Sequence, residues 1–558
     1  MKKSLLYICS IIFLLSSFSF LLPNHYDPWR TAYQDFLMFL VFIVIFLNIF
    51  INQKNILIDR KILGVFLFSI IPILQFLFGK IYFFGDALLA SIYIFSFGCA
   101  ILVGFNIRQY LDIEKILKFL CFILLFSAFI SIYITLKQWL LLTNGGIWMA
   151  EVPIGGRPFA NFAQPNNCES FLVISVIAVL YIYEKRIINK FTGSLLAFLI
   201  LFCLALTQSR SVWLFAVCFF IWWFWKTKNL KMRLKRFSLF YFLIFFIISA
   251  LSISFISNIL GILSTTDVIT RATTGHLRIP MWHQMLLAIS KEPLWGYGWN
   301  QVSVAQLSVY LEYPTLEWTE HSHNIILDLL IWNGIPIRIL IITFFSMWLW
   351  RLSLLAKSLE VFITLSMIGV LVVHAMLEFP LEYAFFLLPL GLLLGIVYFN
   401  DKDIKVIKIP RSIGISFWCG LIILYIWIFI EYRIIEKDVQ LVRFELMNMG
   451  DLHSESDAPN VILLTQLRER VRFLRTEPVS YMSKDQLDWM KKITYRYGTS
   501  NNLYRYSQAL ALNNQFKSAE HHLTILNRLY QRKNTMQSLY IVNKSLAYEW
   551  SKKQVSKP

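Results

Sequence analysis

Two histidines, His321 and His323, are separated by Ser322 and followed by Asn324, directly ahead of an apolar segment that begins at Ile325. An imidazole titrates near neutral pH, so at a membrane face it can take a proton from a hydroxyl group. Metal binding from a loop is a rival chemistry, but no cysteine or carboxylate partners stand at metal-site spacing. Capping of the following helix is the plain structural alternative. Three arginines offer a second kind of chemistry. Arg210 lies in the tight Thr207–Ser211 turn between two apolar segments, while Arg157 and Arg278 lie in longer polar loops. A guanidinium fork matches phosphate oxygens, although an arginine at a helix end can also simply snorkel to the headgroups. Two further clusters sit beside apolar segments. One runs from Asn161 through Gln164 to Asn166 and Asn167, where Asn and Pro suit a helix cap or turn. The other is Glu378-Phe379-Pro380-Leu381-Glu382-Tyr383, whose carboxylates could orient a histidine or bind a sugar, or be ordinary turn residues.

The elements that position these residues are membrane helices. Of 558 residues, 57% are hydrophobic and only 15% charged, more apolar surface than a water-exposed chain can hide. Segments of about 20 apolar residues suffice to cross a bilayer. Thirteen spans are predicted, near 4–22, 35–51, 62–79, 87–104, 117–142, 168–183, 193–206, 211–225, 239–257, 325–350, 359–377, 383–399 and 413–430. With a cytoplasmic N-terminus, the inward segments carry 22 Lys and Arg residues and the outward loops 7. This is the asymmetry that orients membrane proteins. The net charge of +19 is therefore topological and does not indicate a nucleic-acid partner. All the polar clusters above then fall on the outward face, where gathered ionisable groups mark a reaction or transport path. Lys137 and Arg338 are exceptions within spans.

Four regions follow: an N-terminal membrane bundle over 1–257, a long outward loop over 258–324, further spans over 325–430, and a polar outward tail over 431–558. The outward loop also carries Arg271, His276 and an amphipathic stretch, Met281–Ser290, suited to the membrane surface. In the tail, apolar spacing from Leu503 to Leu529, broken at Asn513-Asn514-Gln515, predicts a helical hairpin of tetratricopeptide type. The seven cysteines lie in or at the ends of spans without close pairs and read as buried apolar residues. The first apolar segment lacks a small-x-small cleavage site before Pro23 and is read as an uncleaved span.

Taken together, the boxes resemble a known family. His323-Asn324, nine residues, then Gly334 is similar to the His-[Asn/Ser/Gln]-x9-Gly signature of the O-antigen ligase (Wzy_C) superfamily. The last position of that signature, usually Gly, Thr or Tyr, is Ile337 here. Pro293-Leu294-Trp295-Gly296-Tyr297-Gly298 resembles the superfamily's Pro-x-x-Gly-Tyr-Gly element. Asn161-Phe162-Ala163-Gln164-Pro165-Asn166 and Glu378-Phe379-Pro380-Leu381-Glu382-Tyr383 resemble boxes of the bacterial O-oligosaccharyltransferases that glycosylate pilins and other exported proteins.

That resemblance implies an all-α polytopic fold of GT-C type with a helical periplasmic C-terminal domain, in the bacterial inner membrane. It implies an undecaprenyl diphosphate-linked glycan donor, a pilin-like protein acceptor, surrounding membrane lipids and no metal or other cofactor. His323, Gln164 and Tyr383 are the expected catalytic residues. Arg157, Asn161, Arg210, Arg278, His321, Asn324 and Glu378 are the expected substrate-binding residues, and His321 shares with His323 the candidacy for the base. The only Asp-x-Asp, Asp401-Lys402-Asp403, falls on the cytoplasmic side. Ligation of O-antigen to lipid A–core, or polymerisation of repeat units, would use the same chemistry. The Gln164 box and the Pro380 turn favour a protein acceptor. A lipid-linked glycan transporter would show internal repeats and polar groups near the midplane, whereas here no repeat is visible and the polar groups gather at one face.

Overall fold

A computed structural model describes residues 2–142, 146–153, 155–262, 278–447, 449, 454 and 456–540. Arg271 and His276 lie outside the described residues. Each predicted apolar segment is helical. In the membrane region the helices are α1 (Lys2–Leu21), α2 (Ala32–Asn52), α3 (Arg60–Phe68), α4 (Ile71–Leu77), α5 (Phe84–Ile107), α6 (Ile113–Trp139), α7 (Pro165–Glu184), α8 (Lys190–Leu206), α9 (Ser211–Lys226) and α10 (Leu239–Ile259). Then come α11 (Arg278–Lys291), the short α12 (Val302–Ser308), α13 (Ile325–Leu354), α14 (Leu359–Ala375), α15 (Ala384–Tyr398) and α16 (Arg411–Leu446). Among the described residues, eight helical segments are long and apolar enough to cross a membrane, and four shorter apolar helices accompany them. The chain is a multi-pass membrane protein. The 62–79 segment divides into α3 and α4, with a break at Ser69 and Ile70.

Close packing of backbones holds the bundle centre. A Cβ on Gly104 of α5 would stand 2.1 Å from the Leu392 carbonyl oxygen, and one on Gly395 of α15 would stand 2.0 Å from that of Ile101. Lipid supplies little hydrophobic drive between helices, so small residues that allow such approach matter most. Buried Asp35 of α2 ties the same region together. Its carboxylate accepts from Thr31 Oγ1 (2.6 Å), Tyr93 OH (2.8 Å) and the Ala384 amide that opens α15 (2.7 Å).

One element departs from the all-helical expectation. Asn55–Asp59 and Val406–Pro410 pair as a two-stranded antiparallel ribbon, β1 with β2, at the side predicted to be cytoplasmic. The Asn106 side chain fastens β1 to α5, accepting from Leu57 N and donating to Leu57 O, each at 2.8 Å.

The amphipathic α11 does not spend its apolar face on the membrane surface. Met281, Met285, Ala288 and Ile289 are buried in a cluster with Val302, Ala305 and Ile331 of α12 and α13. Beyond the bundle, α16 runs 36 residues, well past the length that spans a bilayer. Four helices follow: α17 (Thr465–Arg475), α18 (Lys484–Arg496), α19 (Ser500–Leu512) and α20 (Phe516–Leu529). The hairpin of α19 and α20 turns at Asn513 to Gln515. Its core also takes in Phe83, Leu307 and Tyr310 from the rest of the chain, so the C-terminal domain is packed onto the bundle.

Candidate active site

Glu378 follows α14 and is almost wholly buried, its side chain 4% exposed. Four side chains from three parts of the chain reach its carboxylate. His323 Nδ1 stands 2.6 Å from Oε2 and Gln164 Nε2 donates to the same oxygen at 3.4 Å. Asn166 Nδ2 donates to Oε1 at 2.7 Å, and Arg278 forms a short ion pair with that oxygen. Burial alone would raise the Glu378 pKa. The hydrogen bond from His323 and the positive charges of His323 and Arg278 outweigh it and leave the carboxyl below its ordinary value. A neutral His323 that donates from Nδ1 to Glu378 presents Nε2 as an acceptor on the far side of its ring. The His323 side chain is 29% exposed.

The backbone around His323 is held on every side. Asn324 begins α13 as its cap, accepting from Ile326 N (3.0 Å) and Leu327 N (3.1 Å) and donating to Met376 O (3.0 Å). Ser322 N donates to Asp328 Oδ1 at 2.7 Å, and Trp282 Nε1 donates to Ser322 O at 2.8 Å. His323 itself adopts φ +55°. Positive φ is rare for a residue with a Cβ and gathers at functional loops. Ala163 and Gln208, in the two neighbouring segments, share it.

Farther along α13 the helix breaks at Gly334 (φ +69°), where a Cβ would lie 2.3 Å from Leu294 O. The Pro-x-x-Gly-Tyr-Gly element fills the break. Tyr297 N donates to Ile331 O (2.8 Å), Gly298 N to Trp332 O (3.1 Å), and Ile335 N to Pro293 O (2.8 Å). Gln75 completes the joint, donating to Trp332 O at 2.8 Å and accepting from Trp299 N at 2.9 Å. These two boxes therefore do structural work, orienting the helix that starts at the histidine.

The other expected residues divide by geometry. Asn161 is buried and its amide is used internally, donating to Leu21 O (2.6 Å) and Trp148 O (3.0 Å) and accepting from Ala150 N (3.0 Å). It anchors its loop. Asn324 likewise has a capping task. His321 stacks its ring on Phe379 with centroids 4.4 Å apart. Desolvation pushes its pKa down to about 4, and its Nδ1 is buried without a hydrogen-bond partner among the described residues. Such a ring suits the wall of the site better than its base. Tyr383 stacks on Phe385 at 5.3 Å. Arg157 reaches the Thr207 carbonyl at 3.4 Å, and Arg210 is exposed at the start of α9.

Four participants were not among the expected site residues. Asn166 Oδ1 accepts from Ser209 Oγ (2.7 Å), Ser209 and Ser211 hydroxyls lie 3.0 Å apart, and Ser211 donates to buried Glu169 at 3.0 Å. The two serines flanking Arg210 are thus linked to the network of Glu378. Asn166 stood in a quoted box and could have been chosen. The serines and Glu169 carry no spacing signal. Beside this network opens a cavity of about 960 Å³, lined by Gln164, His321, Phe379, Glu382 and Tyr383, and by Arg496 of the C-terminal domain. Burial raises the Glu382 pKa to about 8.

Comparison with known proteins gives the chain a family. The profile described as O-Antigen ligase matches residues 195–342, and that described as virulence factor membrane-bound polymerase, C-terminal, matches residues 362–540. The general O-oligosaccharyltransferase of Acinetobacter baylyi is 33% identical over 546 residues, covering 96% of this chain and 95% of the relative. The chain belongs to the O-oligosaccharyltransferases of the O-antigen ligase family. The ComP-specific O-oligosaccharyltransferase of the same organism is 27% identical over 89% of this chain and 90% of its own length. This oligosaccharyltransferase is thus a glycosyltransferase, and the first matched segment holds Arg210, Arg278, His323 and Gly334. The second holds Glu378, Tyr383 and the C-terminal helices.

Proposed function

We propose that this oligosaccharyltransferase moves a glycan from undecaprenyl diphosphate to a Ser or Thr hydroxyl of an exported, pilin-like protein at the periplasmic face of the inner membrane. All thirteen apolar segments serve as spans in a GT-C-like arrangement, with the C-terminal helices in the periplasm. The observation that carries the reading is the His323–Glu378 pair, 2.6 Å apart, with the His323 side chain 29% exposed. His323 Nε2 takes the proton of the acceptor hydroxyl, and Glu378 steadies the imidazolium that forms. The hydroxyl oxygen bonds to the anomeric carbon as the bond from that carbon to the phosphate oxygen breaks. Undecaprenyl diphosphate leaves with the electron pair.

Preorganised positive charge lowers the cost of that departure. Arg210 and Arg157, at the two ends of the Thr207–Ser211 turn, are the residues assigned to the diphosphate. Arg278, already paired with Glu378, joins them by exchanging partners when donor arrives. Gln164 holds the Glu378 carboxylate from the acceptor side, and Tyr383 shapes the cavity. No divalent metal is required where arginines neutralise the leaving group. A protein acceptor accords with the relative named for specificity towards ComP.

The test is expression with a lipid-linked glycan source and a candidate pilin, read by intact mass. Wild type should yield glycosylated pilin, and Arg210→Ala should abolish it while membrane expression is kept. A mass shift confined to lipid A–core would assign the chain to ligation instead.

A further inference from the structure

We infer that the C-terminal helical domain is a built-in part of the catalytic scaffold, with Arg496 as the positioning residue that sets the His321–Asn324 segment. This rests on the role proposed above for His323. The guanidinium of Arg496, at the end of α18, is buried at 11% side-chain exposure. Its Nε and Nη2 each donate at 3.0 Å to the carboxylate of Asp86, at the start of α5. Its Nη1 donates at 3.0 Å to Glu320, one residue before His321. One side chain therefore joins the C-terminal domain, a membrane helix and the histidine loop.

Neighbouring contacts make the joint specific. Trp318 Nε1 donates to Ser303 Oγ at 2.7 Å, and that hydroxyl donates to the Tyr495 carbonyl at 2.7 Å. A Cβ on Gly498 would stand 2.7 Å from Trp318 Nε1, so the backbone of the domain lies directly against the loop. Thr319 N donates to Gln306 Oε1 at 3.0 Å, fixing the residue between. Trp318 and Glu320 are thus pinned from the 495–498 segment, and Thr319 from Gln306, just before the chain reaches His323. The same segment walls the cavity beside the site, through Arg496 and Tyr497. A displacement of about 1 Å at a reacting group can lower a rate about 100-fold, so this tether bears on turnover more than on binding.

The experiment uses the full-length chain in membranes, with initial rates measured against lipid-linked donor and pilin acceptor. Glu320→Ala removes the Arg496 tether to the loop while leaving Arg496 paired with Asp86. It should lower kcat at least about 10-fold with both KM values within about two-fold of wild type. Arg496→Ala should do the same more severely. Arg496→Lys should recover little, because an ammonium cannot span both carboxylates as the fork does. Hydrogen–deuterium exchange over residues 318–324 should rise in Glu320→Ala. Wild-type kcat in a folded Glu320→Ala variant would overturn the inference, as would a raised acceptor KM alone, which would make the domain a docking surface. Unchanged exchange over 318–324 would also overturn it. Absence of glycosylated pilin with wild type defeats the acceptor reading instead, and the exchange measurement then still decides the tether.

Discussion

A nearly buried carboxylate that collects a histidine, an arginine and two amides is the residue on which the site turns. If Glu378 fixes the His323 tautomer and steadies its charged form, Glu378→Gln should lower kcat by about 10²–10⁴-fold, the usual span for acid–base assistance. Binding of the donor should change little, and steady-state kinetics separates the two. Acid should also weaken this region. The folded pKa of Glu378 lies below its ordinary 4.5, so its stabilising contribution is present above that value and fades as pH falls through the depressed one. His321 acts in the same direction. Its folded pKa near 4 lies below the ordinary 6.5, so stability is lost progressively as pH falls from about 6.5 to about 4. Thermal unfolding in detergent across that window should show a falling midpoint, and His321→Phe, which keeps a ring on Phe379, should flatten the trend. A pH-independent midpoint would contradict the assignment. At this scale the sequence disclosed His323, Gln164, Arg278 and Glu378 as chemically notable, since rare ionisable groups beside apolar runs stand out. Asn161 marks the limit of residue type, because a short amide that ties down a loop looks in sequence the same as one that binds sugar. Ser209, Ser211 and Glu169 were invisible because hydrogen-bond partners distant in sequence leave no periodic trace.

The membrane helices, set by apolar run length, were legible in sequence, while the short helix Val302–Ser308, the first two helices after α16 and the joints between elements were not. Nothing in the spacing of Gly334 and Gly296 disclosed that each backbone is the other's steric limit. A Cβ on Gly296 would lie 2.4 Å from Ile331 O, as one on Gly334 meets Leu294 O. Gly334→Ala combines that collision with a positive φ, a conformation that by itself costs about 1–3 kcal/mol. It should reduce folded protein in membranes and remove transfer activity. Gln75→Leu should be milder. It leaves the Trp299 amide without its partner, at about 1–3 kcal/mol, measurable as a lowered unfolding midpoint with near-normal expression. A Gly334→Ala protein with unaltered stability would show that the helix break is dispensable. The β1–β2 ribbon went unseen because five-residue strands between charged ends carry little pattern.

Over the whole molecule, the distribution of Lys and Arg gave an orientation, and composition gave a membrane protein, but the docking of the C-terminal domain had no sequence signature. Its core is completed by Phe83, Leu307 and Tyr310, residues more than a hundred positions away from the helices they join. Arg210 and His323 must open to the same side for one donor to meet both. Single cysteines at these positions should both react with an impermeant thiol reagent added from the periplasm, and Lys228→Cys should be protected. The most direct test of the central claim is one turnover with preloaded lipid-linked glycan and pilin acceptor, comparing wild type with His323→Ala at equal folded amounts. The proposed base role predicts that glycosylated pilin forms with wild type and falls by at least about 100-fold in the variant. Formation of product at the wild-type rate by His323→Ala would contradict it.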